Sequence, residues 1–197
     1  MKTRLFLAAL VGSALFFGQS LVAADKAADS KFEGKCPVSG KLCKESSSVD
    51  YLGKKVYFCC DHCPAAFKAD PKKYAAKAAA QLLGTKQICQ VACPLTGKPV
   101  NPEAKSDVGG VSVGFCCDKC KGKVDKADDK VALVFGDISK GFTLQTTCPV
   151  SGKAINAARM VEHDGQKVYF CCDKCPAAFE KDPSKYTAKL PQFSDKK

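Results

Sequence analysis

Cys36-Pro37-Val38-Ser39-Gly40-Lys41, with 22 residues separating Cys36 from the cluster Cys59-Cys60-Asp61-His62-Cys63, decides the fold, because the chain writes this pattern three times. The opening words return as Cys93-Pro94-Leu95-Thr96-Gly97-Lys98 and Cys148-Pro149-Val150-Ser151-Gly152-Lys153. The clusters return as Cys116-Cys117-Asp118-Lys119-Cys120 and Cys171-Cys172-Asp173-Lys174-Cys175. The copies are offset by 57 and then 55 residues, and the spacing of 22 is kept in each. Self-similarity at a near-constant period marks a chain assembled from one repeated unit.

Superposing the copies reads out the local structure. A short strand leads into each doublet: Val56-Tyr57-Phe58, Val113-Gly114-Phe115 and Val168-Tyr169-Phe170. Gly53, Gly110 and Gly165 stand six residues before the doublets and mark hairpin turns. Asp61, Asp118 and Asp173 are placed to cap a helix starting at the cluster. In copies one and three a second helix is expected at Asp70-Pro71 and Asp182-Pro183, with Asp as cap and Pro at the first helical position. The former should run to Leu83 and stop at Gly84. Copy two has no Asp-Pro, and Val124 and Val131 stand where the other copies have Phe67 and Tyr74 or Phe179 and Tyr186. A smaller core and a weaker hold on metal are therefore expected of copy two.

Units this short bury too little apolar surface to fold unaided, so a metal or a disulfide must contribute. Fourteen cysteines first suggest a disulfide framework. The repeated spacing favours metal, because a turn, a hairpin and a helix start bring three sulfurs to one point. Around one ion with ~2.3 Å bonds they should lie within about 4 Å of one another. A helix N-terminus also favours thiolate over thiol.

These words resemble the YHS and TRASH family of treble-clef-like heavy-metal-binding modules. Phe67-Lys68-Ala69-Asp70-Pro71-Lys72-Lys73-Tyr74 and Phe179-Glu180-Lys181-Asp182-Pro183-Ser184-Lys185-Tyr186 carry the resemblance beyond the cysteines. It implies an α+β chain of three tandem modules, each a cysteine turn, a β-hairpin and a helix, at residues 32–84, 88–142 and 145–191, the middle one degenerate. It also implies metal ligands at Cys36, Cys59 and Cys63; at Cys93, Cys116 and Cys120; and at Cys148, Cys171 and Cys175. Family members often carry another cysteine where this chain has Ser39, Thr96 and Ser151. Three thiolates suit Cu+, and they suit Zn2+ with a borrowed fourth ligand.

Five cysteines stand outside those triplets. Cys60, Cys117 and Cys172 follow a ligand directly, and side chains alternate along a strand, so they read either as small buried residues or as metal or redox groups. Cys60 can also replace Cys59 in a Cys-x-x-Cys pair. Cys43 and Cys89 have no counterparts in the other copies, and disulfide formation and ligation are both open to them. Cys89 can supply a fourth thiolate to copy two. His62 gives way to Lys119 and Lys174 and reads as a solvated residue, as does His163 in its hairpin turn.

At the N-terminus, Lys2 and Arg4 precede an apolar run over residues 5–17 and the small-residue stretch Leu21-Val22-Ala23-Ala24. This order is that of a signal peptide, residues 1–24, and places the mature protein in the periplasm or outside the cell. The net charge of +11 becomes +9 after cleavage, from 29 basic against 20 acidic residues. The lysines are spread through every module without an arginine stripe, so no nucleic-acid partner is expected. Membrane contact is expected only through the signal peptide during export. No catalytic triad or phosphate loop is present, so the chain is not expected to be an enzyme. The expected function is metal buffering, trafficking or resistance, with metal ions and a metal transporter or other exported protein as partners. The competing functions are a zinc- or disulfide-stabilised interaction protein and a thiol-disulfide redox protein.

Overall fold

Each copy opens on a turn that the backbone closes around its first cysteine. The Cys36 N–H donates to the Lys41 carbonyl at 2.7 Å, and the Gly40 N–H donates back to the Cys36 carbonyl at 2.8 Å. Gly40 sits at φ 75°, a left-handed conformation that a side chain would oppose. The same pair of bonds recurs at Cys93 and Cys148, with Gly97 and Gly152 at φ 70° and 73°. The computed structural model describes residues 34–196, so the expected signal peptide lies outside the described residues.

A β-hairpin follows each turn: β1 (Lys44–Tyr51) with β2 (Lys54–Phe58), β4 (Asn101–Val108) with β5 (Val111–Phe115), and β7 (Asn156–His163) with β8 (Gln166–Phe170). The turn pairs Leu52-Gly53, Gly109-Gly110 and Asp164-Gly165 all have positive φ at both residues. That is the type I′ geometry, whose twist matches the twist of the strands. All three hairpins break register at one place, between Lys44 and Ser48, Asn101 and Lys105, and Asn156 and Met160. The extra residues bulge toward the doublet, and in copy one Ser47 Oγ donates to the Cys60 carbonyl at 3.4 Å.

The cluster helices are α1 (Cys63–Ala69), α3 (Asp118–Asp125) and α5 (Lys174–Lys181). The expected aspartate caps do not form. His62 and Cys117 hold the cap positions of α1 and α3, and Asp173, at the cap of α5, makes no cap bond. The chain is still bending as it leaves the doublet, so these carboxylates point to solvent; Asp173 pairs with Arg159 instead. The exit helices follow the expectation more closely. In α2 (Pro71–Gly84), Asp70 accepts from the Lys73 N–H at 3.2 Å, and the helix ends on Gly84. Copy three has only the short α6 (Ser184–Thr187). Copy two uses α4 (Lys130–Phe135), capped by Asp129, which accepts from the Ala132 N–H at 2.8 Å.

The described residues form an α+β chain of three strand–helix units with two hydrophobic cores. Copies one and two share one core, since α2 packs on α4 and also touches β2 and β5. Ala78, Ala79 and Leu82 of α2 lie in it beside Phe58, Phe67, Phe115 and Val124. Small Ala side chains let the helix approach closely. The shared core corrects the expectation of a reduced core in copy two. Val124 is fully buried there, and Phe135 and Phe142, stacked at 5.0 Å, supply the bulk that Val124 and Val131 lack. Gly114 replaces the strand tyrosine of the other copies because a Cβ there would collide with Val100. Copy three has the smaller separate core, around Val168, Phe170, Phe179 and Leu190. A two-residue ladder, β3 (Cys89–Gln90) with β6 (Phe142–Thr143), ties together the segments that precede copies two and three.

One side chain per copy braces the assembly. Gln145 is buried; its Oε1 accepts from the Tyr169 N–H at 3.0 Å, and its Nε2 donates to the Tyr169 carbonyl at 2.6 Å and the Thr147 carbonyl at 3.0 Å. Gln90 bonds Gly114 N–H, Gly114 C=O and Ala92 C=O at 2.9, 2.6 and 3.0 Å. In copy one Gln81 reaches from α2 and does the same with Tyr57 and Lys35, at 2.8, 2.8 and 2.9 Å. Each amide therefore couples the strand entering the doublet to the residue just before the first cysteine. Replacing Gln145 with Ala leaves the buried backbone N–H and carbonyl of Tyr169 unpaired, a cost of about 2 kcal/mol. Urea unfolding of the full chain should show that loss in copy three, and an unchanged midpoint would contradict the brace.

Candidate metal centre

The closed turn supplies the first sulfur, and the bend after each hairpin supplies the other two. Cys36, Cys59 and Cys63 lie with their sulfurs within 4.8 Å of one another; so do Cys93, Cys116 and Cys120, and Cys148, Cys171 and Cys175. The spread is slightly wider than the expected 4 Å. The two sulfurs of each cluster are closer, at 3.7, 3.6 and 3.7 Å. Three sulfurs bonded at ~2.3 Å to one ion would stand just under 4 Å apart, so small side-chain rotations fit each group to an ion. Each group can hold a metal ion. All fourteen cysteines are free thiols.

A hydroxyl stands beside every group. Ser39 Oγ is 3.1 Å from Cys59 Sγ, Thr96 Oγ1 is 3.3 Å from Cys116 Sγ, and Ser151 Oγ is 3.1 Å from Cys171 Sγ. These residues also govern the first cysteine. Burial works against ionisation of Cys36, but hydrogen bonds from the Ser39 side chain and from backbone N–H groups outweigh it, and its pKa falls from 9.0 to about 7. Cys93 and Cys148 fall to about 7 for the same reasons, with Thr96 and Ser151 as the side-chain donors. At the helix the balance is opposite. Burial and then the neighbouring cysteines push Cys63 up, and push Cys120 and Cys175 up to about 12. The expectation of thiolate at the helix start therefore fails for these three, although backbone and Cys63 hydrogen bonds lower the neighbouring Cys60 to about 7.

The second cysteine of each doublet does not turn away. The strands end at Phe58, Phe115 and Phe170, so strand alternation no longer applies at the doublet. Cys60 Sγ lies 3.4 Å from Cys63 Sγ, Cys117 Sγ lies 3.7 Å from Cys116 Sγ, and Cys172 Sγ lies 3.6 Å from Cys175 Sγ. Cys43 donates to the Tyr57 carbonyl at 3.0 Å and accepts from Gln81 at 3.2 Å. Burial, then the nearby Cys36 and Cys59, raise it to about 12, so it serves copy one as a hydrogen-bonding thiol. Cys89 pairs with Thr143 in β3 and stands outside the group of copy two.

His62 is exposed at the start of α1. His163 is not the solvated residue expected of a turn: its ring meets Phe179 edge-on at 5.3 Å, as Tyr51 meets Phe67 at 5.3 Å in copy one. It replaces Tyr51 as a core side chain. The glutamine braces went unread in the sequence. Gln90 and Gln145 both stand three residues before a first cysteine, and that recurrence was the available signal.

Lowered pKa values at Cys36, Cys93 and Cys148 favour the thiolate in the folded chain. Their contribution to stability is complete above the ordinary value of 9.0 and fades as pH falls through about 7. Substituting Ser39→Ala, Thr96→Val and Ser151→Ala together should move this titration upward, toward the ordinary thiol value. Thiolate absorbance of the reduced, metal-free protein measures it, and an unmoved curve would show that the hydroxyls contribute nothing.

No curated protein and no solved structure matches the chain. Residues 35–78 and 146–189 match the YHS domain family, each spanning a first cysteine, its hairpin and its cluster helix. Both matched segments, in copies one and three, carry the repeated turn, hairpin and a sulfur triplet that could hold a metal ion, and a third unit of the same plan lies between them.

Proposed function

We propose that the chain is an exported carrier or buffer of a thiophilic metal ion, Zn2+ or Cu+, acting in trafficking or resistance through three independent three-sulfur sites. The observation that carries this is the threefold recurrence of a sulfur triplet with no fourth cysteine inside it. A structural zinc site is normally closed by four protein ligands. A site of three leaves a position for a partner's ligand, and three copies on one chain raise the local concentration of sites. A metal transporter or another exported protein is the kind of partner that would use that position. No catalytic role is part of this proposal.

The shared core of copies one and two also favours a carrier over a purely structural site. There, helix α2 and buried aromatic side chains such as Phe58, Phe67 and Phe115 pack the hairpins into one core. Copy three has a smaller core and leans more on its ion. Native mass spectrometry of the reduced protein should count three metal ions. Under chelator titration copy three should lose its structure first, while copies one and two give up metal and stay folded. Simultaneous unfolding of all three on chelation would favour the structural alternative.

The export half of the proposal has its own test. The mature chain should begin near Asp25, and N-terminal sequencing of protein from the cell envelope reads this directly. An intact Met1 there would defeat it.

A further inference from the structure

The second cysteine of each doublet has no place in the sulfur triplets, yet in every copy it touches one. Cys60 meets Cys63, Cys117 meets Cys116 and Cys172 meets Cys175, at 3.4, 3.7 and 3.6 Å. The partner differs in copy two, but the contact is kept. The opposite side of each site is shut: Cys36, Cys93 and Cys148 are 1% exposed or less. Cys60 and Cys117 are partly exposed and Cys172 is exposed. An ion entering or leaving therefore has an exposed thiol on the solvent side of the triplet and a buried one on the far side.

We infer that Cys60, Cys117 and Cys172 are handover ligands, which take the metal ion from solvent or a partner and pass it to the triplet by thiolate exchange. This rests on the metal-binding function proposed above and adds the route by which the ion moves. In the inward step the handover thiol has lost its proton and holds the ion. A bond forms from the ion to a triplet sulfur, whose thiol gives up its proton, the bond to the handover sulfur breaks, and the freed thiolate takes up that proton. Nothing is oxidised or reduced, and the outward step is the reverse. Each exchange spans less than 4 Å between sulfurs, so the ion need never be without a ligand. The doublet also explains why two adjacent cysteines are needed: the first serves the resting site and the second serves transfer.

The test uses the full chain, reduced and loaded anaerobically with Cu+ as the probe. Wild type should retain three ions, and a colorimetric Cu+ chelator should withdraw them at a measurable rate. With Cys60→Ser, Cys117→Ser and Cys172→Ser combined, three ions should still be retained, but transfer to the chelator should slow about 10-fold. An unchanged rate would overturn the inference, and so would loss of retained copper, which would make these cysteines resting ligands. Cys172→Ser alone guards against misfolding, because that side chain is exposed; it should slow one ion in three, and uniform kinetics would again overturn the inference. A wild type that retains no Cu+ would instead remove the metal-binding function itself, and is told apart by the loading step.

Discussion

A glutamine carboxamide, buried in copies one and three and half-buried in copy two, holds each sulfur triplet together. The first cysteine and the cluster are separated by 22 residues, and among the described residues each hairpin is a two-stranded sheet that does not include the turn. Gln81, Gln90 and Gln145 make that connection by offering one acceptor and two donors to backbone groups of the strand and the turn. Unpaired buried amides are costly, so the brace fixes the turn against the strand with little freedom to slide. The position of the first sulfur follows from it.

Electrostatics within the triplet follow from that placement. The turn surrounds Cys36 with N–H donors and the Ser39 hydroxyl, and thiolate is favoured there even though the side chain is buried. Cys63, facing sulfur neighbours from a buried helix start, holds its proton. A metal ion meets a prepared thiolate at the turn and must displace the proton of the helix cysteine, so acid and metal compete for the same site. The hydroxyls of Ser39, Thr96 and Ser151 favour the first charge while leaving the sulfur count at three.

The copies diverge in how they bury their apolar side chains, not in how they place sulfur. Copy one extends its exit helix into α2 and lends an alanine face to copy two, which replaces a local Phe and Tyr with Phe135 and Phe142. Copy three retains Phe179 and Tyr186 and adds His163 in the role of Tyr51, but its short α6 covers little. Local residue size was a poor guide to the strength of each unit because a core is filled by whichever elements reach it.

Repetition and periodicity made much of this chain legible. The three copies, the turn glycines, the hairpins, Asp70 as the cap of α2, its end at Gly84 and the membership of each sulfur triplet were readable from the residues, because spacing and backbone conformation are local properties. Other features depended on contacts between residues far apart in the chain. Strand alternation seemed to turn Cys60 away from Cys63, but the strand stops at Phe58 and the bend brings the two sulfurs together. Asp61 looked like a cap until the bend moved the helix start past it. Nothing local tells that Gln81, 24 residues from Tyr57, replaces a brace that the other copies carry beside their first cysteine. Nor does it tell that Val124 shares a core with Leu82. The sequence by itself determined which atoms could bind a metal, since that depends on residue type and spacing. Tertiary structure decided which thiols ionise, which are exposed and which copy stands alone, since burial and hydrogen bonding arise only when distant segments meet.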